Sequence, residues 1–216
     1  MLIIGLTGGI AMGKSTAARF YRAAHLPVFD ADAVVHKLQR PGGAAIPALK
    51  AMFPAAFGQD RLDRGALRNL VLADPGKLTQ LEAIMHPLVR MAQQSFLAHA
   101  RRARAKVCVL DIPLLFETGA DRSVDLIVAV SAPASVQIER MRELRKLPDH
   151  DIKAILARQV SDHFRTSRAD VVVQTGLSRY HAWKTLNRHL IQIQERSPHA
   201  LHSIRHRNHR AQPNYR

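Results

Sequence analysis

The chain has 216 residues, of which 47% are hydrophobic and 5% aromatic, so we expect a substantial core built mainly from aliphatic side chains. Its single cysteine, Cys108, excludes an internal disulfide framework and favours a reducing, cytoplasmic compartment. The formal net charge of +15 makes nucleic acids and polyphosphorylated small molecules the first candidate ligands.

The first predicted element is the apolar run Leu2–Leu6, which is typical of a buried strand. This start lacks the basic segment and cleavage site of a signal peptide, and no run approaches the roughly 18 residues of a membrane span, so we expect neither. The next segment, Gly8–Ser15, matches G-x-x-x-x-G-K-[ST] at every position. A helix is predicted from Lys14 to Ala24, and this order of strand, glycine loop and helix indicates a phosphate-binding loop.

Each part of this loop has a physical task. Glycines let consecutive N–H groups converge on phosphate oxygens, and the start of the helix directs its positive end at the same anion. Lys14 should reach the β- and γ-phosphates of ATP, while the Ser15 hydroxyl should bind the Mg²⁺ that accompanies them. We therefore predict that ATP and Mg²⁺ are held by the following residues: Gly9, Ile10, Ala11, Met12, Gly13, Lys14, Ser15 and Thr16.

Two carboxylates follow the second predicted strand, Pro27–Phe29. Asp30 and Asp32 lie two residues apart, so they would share one side if the strand conformation continued. One could hold the helix start or orient magnesium through water, while the other accepts the proton of an attacking hydroxyl group. We favour Asp32 as the catalytic carboxylate. The alternative is that Asp32 only caps a helix beginning at Ala33.

Residues 33–105 separate the second and third strands by far more than one crossover helix requires. Helical patterns fill the interval at Ala44–Met52, Arg64–Leu72 and Leu78–Arg101, with Pro and Gly clusters between them. We interpret this interval as a helical insertion that builds a substrate site.

Three further apolar runs, at Lys106–Leu110, Asp125–Val130 and Asp170–Val173, complete a predicted doubly wound α/β fold with a five-stranded parallel sheet. Residues 139–168 are rich in arginine and predict two helices broken near Leu147–Asp149, which we interpret as a lid. The predicted organisation is a domain over 1–196, with a core of 1–32, 106–138 and 169–195, an insertion of 33–105 and a lid of 139–168, followed by a basic, disordered tail of 197–216.

The motifs together resemble the dephospho-coenzyme A kinase family of P-loop kinases. The resemblance covers roughly residues 1–195 and rests on motifs that occur in order along the chain. They are Gly5–Ile10 with Gly13-Lys14-Ser15, Asp30-Ala31-Asp32, Pro41-Gly42-Gly43, Leu62-Asp63-Arg64, His86-Pro87, Asp111–Glu117, Gln159 and Ala169-Asp170.

The resemblance implies that ATP phosphorylates the ribose 3′-hydroxyl of dephospho-coenzyme A, the last step of coenzyme A biosynthesis. It also implies a nucleotide-binding core, a helical substrate domain and a lid, with Asp32 as the general base. Residues that match segments on the substrate side are Thr7, Arg64, His86, Asp111, Pro113, Leu114 and Glu117. For His86 a structural role beside Pro87 is an equal alternative.

The chain departs from the family pattern in two places. Ala11 and Met12 replace a glycine and a serine in the middle of the loop, which we expect to alter loop geometry without removing ATP binding. In the lid, the family tends to have two arginines four residues apart. Here Arg140 and Arg145 are the candidates for contacting the transferring phosphoryl group, with Arg142 as an alternative.

Two other functions fit parts of the sequence. Another P-loop kinase would share the loop but differ at Asp30–Asp32 and Asp111–Glu117. A nucleic-acid-dependent ATPase would explain the charge, yet the sequence contains no helix-turn-helix, zinc-finger or aromatic RNA-binding motif. We expect ATP and dephospho-coenzyme A as ligands, no nucleic acid or membrane partner, and leave the oligomeric state open.

Overall fold

The computed structural model of the chain describes residues 1–59, 61–145, 148, 149, 152, 155, 156 and 159–195. Its strands are β1 (Leu2–Gly8), β2 (Val28–Asp30), β3 (Phe57–Gly58), β4 (Arg61–Leu62), β5 (Val107–Asp111), β6 (Leu126–Ser131) and β7 (Val171–Gln174). Its helices are α1 (Lys14–Ala23), α2 (Ala31–Leu38), α3 (Ile46–Met52), α4 (Arg64–Ala73), α5 (Pro75–Arg102), α6 (Ala134–Arg145), α7 (Asp162–Arg168) and α8 (Arg179–Glu195).

The chain divides into two compact units. The first, here called the sheet unit, comprises Met1–Val28 and the described residues from Ala105 onward; the second, the helical unit, is Phe29–Arg104. The assignment of a substrate-binding role to the helical segment stays a prediction. Among the described residues, no helix combines the length and apolarity that a membrane crossing requires.

A five-stranded sheet in the order β2-β5-β1-β6-β7 confirms the predicted α/β fold. β1 pairs in parallel with both β5 and β6, and β6 pairs in parallel with β7. All residues of β1, β5 and β6 are buried, as expected for continuous apolar strands covered on both faces. Because the chain crosses from one side of β1 to the other between β5 and β6, the carboxyl ends of these strands form a switch point, where ligands bind in open α/β sheets.

One apolar core covers a face of the sheet. Side chains of β1, β5, β6 and β7 pack against α1 and α8, with Phe20 edge-on to both Tyr21 and Trp183 at centroid distances of 5.5 and 5.0 Å. Met12 of the glycine loop also belongs to this core. The core therefore fixes the strand and helix on either side of the loop.

The helical unit has its own core, in which α3, α4 and α5 pack through Leu49, Phe53, Leu67, Val71 and Met85. Aspartates begin two of these helices. Asp63 accepts hydrogen bonds from the N–H groups of Gly65 and Ala66, and Asp74 accepts them from Gly76 and Lys77 ahead of α5. The local sequence thus determines where each helix starts.

Several predicted features fall outside the described residues. These include Leu147 at the predicted break in the lid and the tail of residues 197–216. On either side of the break, α6 ends at Arg145 and α7 begins at Asp162.

Candidate active site

The glycine loop connects β1 to α1 and ends in a left-handed residue. Gly13 is the N-cap of α1 with φ of 91°, a conformation that glycine adopts readily. At the other end, a Cβ on Gly8 would lie 2.1 Å from Cγ2 of Val130 in β6, so only glycine fits. The loop is therefore specified by its position on the sheet as well as by its motif.

Ala11 and Met12, the residues that depart from the family pattern, take unexpected places. Ala11 adopts φ of 59°, in the left-handed region, where a Cβ is unfavourable. The Met12 side chain packs in the apolar core and is 2% exposed. Its carbonyl oxygen accepts a hydrogen bond from the Thr175 hydroxyl at 2.6 Å. Its bulk is thus accommodated in the core, leaving only its backbone available to a phosphate group.

Lys14 and Asp111 form an ion pair at the carboxyl ends of β1 and β5. The Lys14 Nζ lies 2.5 Å from Oδ1 of Asp111, and their side chains are 17% and 5% exposed. The sequence reasoning placed Asp111 on the substrate side, whereas the structure places its carboxylate on the lysine of the loop. P-loop proteins use an aspartate at the end of a neighbouring strand to help hold magnesium. The apolar run Val107–Leu110 followed by Asp111 has this pattern.

The oxygen donors near the loop fit a magnesium ion that arrives with its nucleotide. Ser15 is exposed at the start of α1, and Asp111 supplies a carboxylate. Mg²⁺ usually takes one or two protein ligands together with phosphate and water oxygens. In the described part of the chain, no group of three or more His, Cys, Asp or Glu side chains could hold a metal ion by itself.

The residues predicted to line the substrate side differ in exposure. Thr7 is fully buried, and its hydroxyl donates to the carbonyl oxygen of Pro113 at 3.0 Å, which ties β1 to the segment after β5. Leu114 is 44% exposed. Glu117 is exposed and accepts a hydrogen bond from the N–H of Val160 at 3.3 Å. Leu114 and Glu117 are thus accessible to a ligand, while Thr7 supports Pro113.

Of the candidate arginines, Arg140 contacts the glycine loop. It donates to the Thr175 carbonyl oxygen at 2.8 Å and lies 3.5 Å from the carbonyl oxygen of Ala11. Arg142 instead forms a two-point ion pair with Asp149, which raises the pKa of its exposed guanidinium. The side chain of Arg145 lies outside the described residues.

Contacts that the sequence reasoning missed hold the loop from distant parts of the chain. The Gln137 amide donates to the carbonyl oxygen of Ile10 at 2.9 Å, and the Gln159 side-chain oxygen accepts from the Ile10 N–H at 3.3 Å. Thr175 joins this set through Met12. Polar residues separated from the loop by more than one hundred positions carry no local signal, so no motif could have found Gln137 or Thr175.

In the helical unit, Asp30 and Asp32 lie in different elements, so the condition for their sharing one side is not met. β2 ends at Asp30 and α2 begins at Ala31, so the strand does not continue to Asp32. Asp30 is the N-cap and accepts from the Ala33 N–H at 2.9 Å, whereas Asp32 lies exposed in the first helical turn. Because Asp30 does the capping, the Asp32 carboxylate is accessible for chemistry.

The other two predicted residues of this unit lie on its helices. Arg64 begins α4, and its guanidinium contacts the ring of His36 at 2.9 Å and Oε1 of Gln39 at 3.2 Å. His86 is exposed on α5, directly before Pro87 inside that helix. The sequence did not indicate His36 and Gln39, which orient Arg64.

Comparison with known proteins gives a consistent result. The family model described as dephospho-CoA kinase matches residues 2–178. The chain is 46% identical over 201 residues to the dephospho-CoA kinase of Gluconobacter oxydans, covering 91% of this chain and 100% of that protein. It is 45% identical over 176 residues to that of Bradyrhizobium diazoefficiens, covering 82% and 87% respectively.

Solved structures agree in fold. A protein from Thermus thermophilus superposes with a TM-score of 0.80 and 32% identity, over 88% of this chain and 96% of that one. The dephospho-CoA kinase from Campylobacter jejuni superposes with a TM-score of 0.67 and 21% identity over the same shares. At that identity the second comparison supports the fold alone.

Proposed function

This chain belongs to the dephospho-CoA kinase family, and we propose that it transfers the terminal phosphoryl group of ATP to the ribose 3′-hydroxyl of dephospho-coenzyme A. The products are coenzyme A and ADP. The observation that carries the proposal is the complete glycine loop on β1 and α1, with Lys14 beside the buried Asp111. Family membership supports the choice of acceptor.

We assign donor binding to the loop. Its N–H groups and the N-terminus of α1 bind the β- and γ-phosphates, and Lys14 neutralises part of their charge. Ser15 and Asp111 are the residues that would hold magnesium, which when bound supplies charge neutralisation to the phosphates. We also assign to Arg140 the stabilisation of negative charge at the loop, and its contacts with Thr175 and Ala11 support this assignment.

We assign the general base to Asp32. Its carboxylate accepts the proton of the ribose 3′-hydroxyl as that oxygen attacks the γ-phosphorus. The bond between the γ-phosphorus and the bridging oxygen breaks, and ADP leaves with the electron pair. Its exposure in the first turn of α2, with Asp30 already acting as the cap, supports this role.

We assign acceptor binding to the residues that the family resemblance indicates on the substrate side. Arg64, oriented by His36 and Gln39, and the exposed His86 offer charge to the acceptor nucleotide. Leu114 and Glu117 offer an apolar and an acidic contact. We propose Arg145 as a second lid arginine. We also propose a cytoplasmic location, which the single cysteine favours.

The test mixes purified protein with Mg-ATP and dephospho-coenzyme A and follows ADP and coenzyme A together by mass-resolved chromatography. We expect both products in equal amounts. The Lys14→Met variant is the control for a co-purifying kinase, because the loss of the loop lysine should abolish both products. ADP without coenzyme A would contradict the proposed acceptor, and neither product from folded protein would contradict the kinase activity itself.

A further inference from the structure

Arg165 is a buried arginine that no sequence motif singled out. It lies on α7, which Ser161 caps by accepting a hydrogen bond from the Phe164 N–H at 3.1 Å. Only 5% of the Arg165 side chain is exposed, and its Nη1 donates to the Val160 carbonyl oxygen at 2.7 Å. A buried guanidinium loses much of its hydration, which costs free energy. Interactions with its surroundings must offset that cost.

The guanidinium of Arg165 lies against the glycine loop. Its Nη2 is 4.0 Å from Sδ of Met12 and 2.8 Å from the point that a Cβ on Gly9 would occupy. Any side chain at Gly9 would therefore displace the guanidinium. Position 9 therefore requires glycine for lack of space, independently of its backbone conformation.

The carboxylate of Asp162 neutralises the positive charge of Arg165 only in part. Asp162 is the acidic partner, yet its Oδ1 lies 3.7 Å from Nη2, beyond a good hydrogen bond. Its Oδ2 accepts from the Ser131 hydroxyl at 2.6 Å. Among the described residues, Oδ1 of Asp162 and Nε of Arg165 are both buried without a hydrogen-bond partner. Because Asp162 neutralises the Arg165 charge incompletely, the guanidinium can still attract other negatively charged groups nearby.

We propose that Arg165 is a positioning residue for the phosphate groups of the nucleotide, acting through Gly9 and through its charge behind the loop. This inference rests on ATP as the donor of the proposed function, but not on the identity of the acceptor. Phosphate groups on the loop would supply the negative charge that Asp162 supplies only in part. Asp162 weakens the field of Arg165 and so opposes phosphate binding.

The first test compares Arg165→Met with Arg168→Met. Arg168 lies on the same helix, but it is exposed and stacks on the Phe164 ring, so its loss changes net charge equally without touching the loop. Calorimetric dissociation constants would be measured for Mg-ATP, inorganic tripolyphosphate and adenosine. We expect Arg165→Met to weaken binding of both phosphate compounds about tenfold, because a charge of low exposure is poorly screened. Adenosine binding should be unchanged, Arg165→Lys should recover most of the loss, and Arg168→Met should resemble the parent protein.

A second variant keeps the inference testable if Arg165→Met fails to fold. Asp162→Asn retains an acceptor for Ser131 and removes the opposing charge, so it should bind tripolyphosphate a few-fold more tightly. A purely structural ion pair predicts instead a lower melting temperature with unchanged affinity. Unchanged or weaker tripolyphosphate binding in Asp162→Asn, or equal losses for adenosine and ATP in Arg165→Met, would overturn the inference. These readouts need no acceptor, so the proposed kinase reaction could fail while this inference stands.

Discussion

At the scale of single residues, Ala11 shows how a loop can keep its shape without its usual glycine. Its φ of 59° is a conformation that costs an L-residue about 1–2 kcal/mol relative to glycine. The contacts around it hold the backbone in place, since Arg140 reaches its carbonyl oxygen and Thr175 bonds that of Met12. The neighbouring elements thus impose a geometry that the local sequence disfavours.

Replacing Ala11 by glycine should therefore stabilise the protein. Relief of the left-handed strain should exceed the added entropy of glycine in the unfolded chain, leaving a gain of about 0.5 kcal/mol in the free energy of unfolding. Urea unfolding followed by circular dichroism measures it. Ala17→Gly, in the helical interior of α1, is the matched control and should lose about 1 kcal/mol. A loss of stability in Ala11→Gly would show that the alanine is not strained.

Asp32 carries the chemistry in the proposed mechanism, and its exposed position allows a clean test. Asp32→Asn should lower turnover by about 10²–10⁴-fold, the usual contribution of a general base. The dissociation constant of Mg-ATP should stay within about twofold, because the loop is unchanged. The melting temperature should also change little, since Asp30 caps the helix. Wild-type turnover in this variant would remove Asp32 from the mechanism.

At the scale of elements, we expect the start of α4 to couple stability to the proposed binding of the acceptor. Asp63 bonds the N–H groups of Gly65 and Ala66 at 2.8 and 3.0 Å, and the next residue is Arg64. A frayed first turn would release Arg64 from His36 and Gln39. Asp63 would therefore support the proposed site indirectly, by keeping Arg64 in position and not by contacting the acceptor.

Replacing Asp63 by alanine should lower the free energy of unfolding by about 1 kcal/mol, as the loss of a helix cap usually does. We also expect a higher KM for dephospho-coenzyme A with KM for ATP unchanged. Asp63→Asn keeps the cap and serves as the control. Steady-state kinetics with each substrate varied in turn would decide the matter. An equal rise in both KM values would contradict the link between the cap and Arg64.

The sequence predicted those elements whose physical cause is local. The strands were found because runs such as Leu2–Leu6 and Asp125–Val130 are apolar without alternation, and the loop because Gly, Lys and Ser recur at fixed spacing. The sequence left open which aspartate caps the helix, because either one could begin it and only the end of β2 decides between them. Gln137, Thr175 and Arg165 reach the loop through tertiary contacts, which local patterns do not encode.

At the scale of the whole molecule, an ionisable group in the core of the sheet unit links folding to pH through its burial. Tyr21 of α1 is fully buried in that core, and burial raises the pKa of its phenol above the ordinary value. A tyrosine in the unfolded chain ionises at about pH 10, whereas Tyr21 in the folded protein stays neutral at that pH. The unfolded state then binds fewer protons, so stability should fall as pH rises above about 10.

Tyr21→Phe removes this ionisation. Between about pH 10 and 11.5, the free energy of unfolding of the parent should fall more steeply, by up to about 1.4 kcal/mol per pH unit. Below about pH 9 the two proteins should show the same pH dependence. Urea unfolding of both proteins across this range isolates the Tyr21 term, since all other groups are shared. Parallel curves throughout would mean that Tyr21 is hydrated in the folded state.

The pair between Lys14 and Asp111 has a consequence for selectivity among anions. Because Asp111 is tethered to the same fold, it presents its carboxylate to Lys14 at a high effective concentration. A free anion that makes a single contact competes poorly with Asp111 for Lys14. A triphosphate that engages the loop amides and the helix start as well should gain enough contacts to displace Asp111 from Lys14. We therefore expect the pair to favour the binding of multivalent phosphates over that of inorganic phosphate.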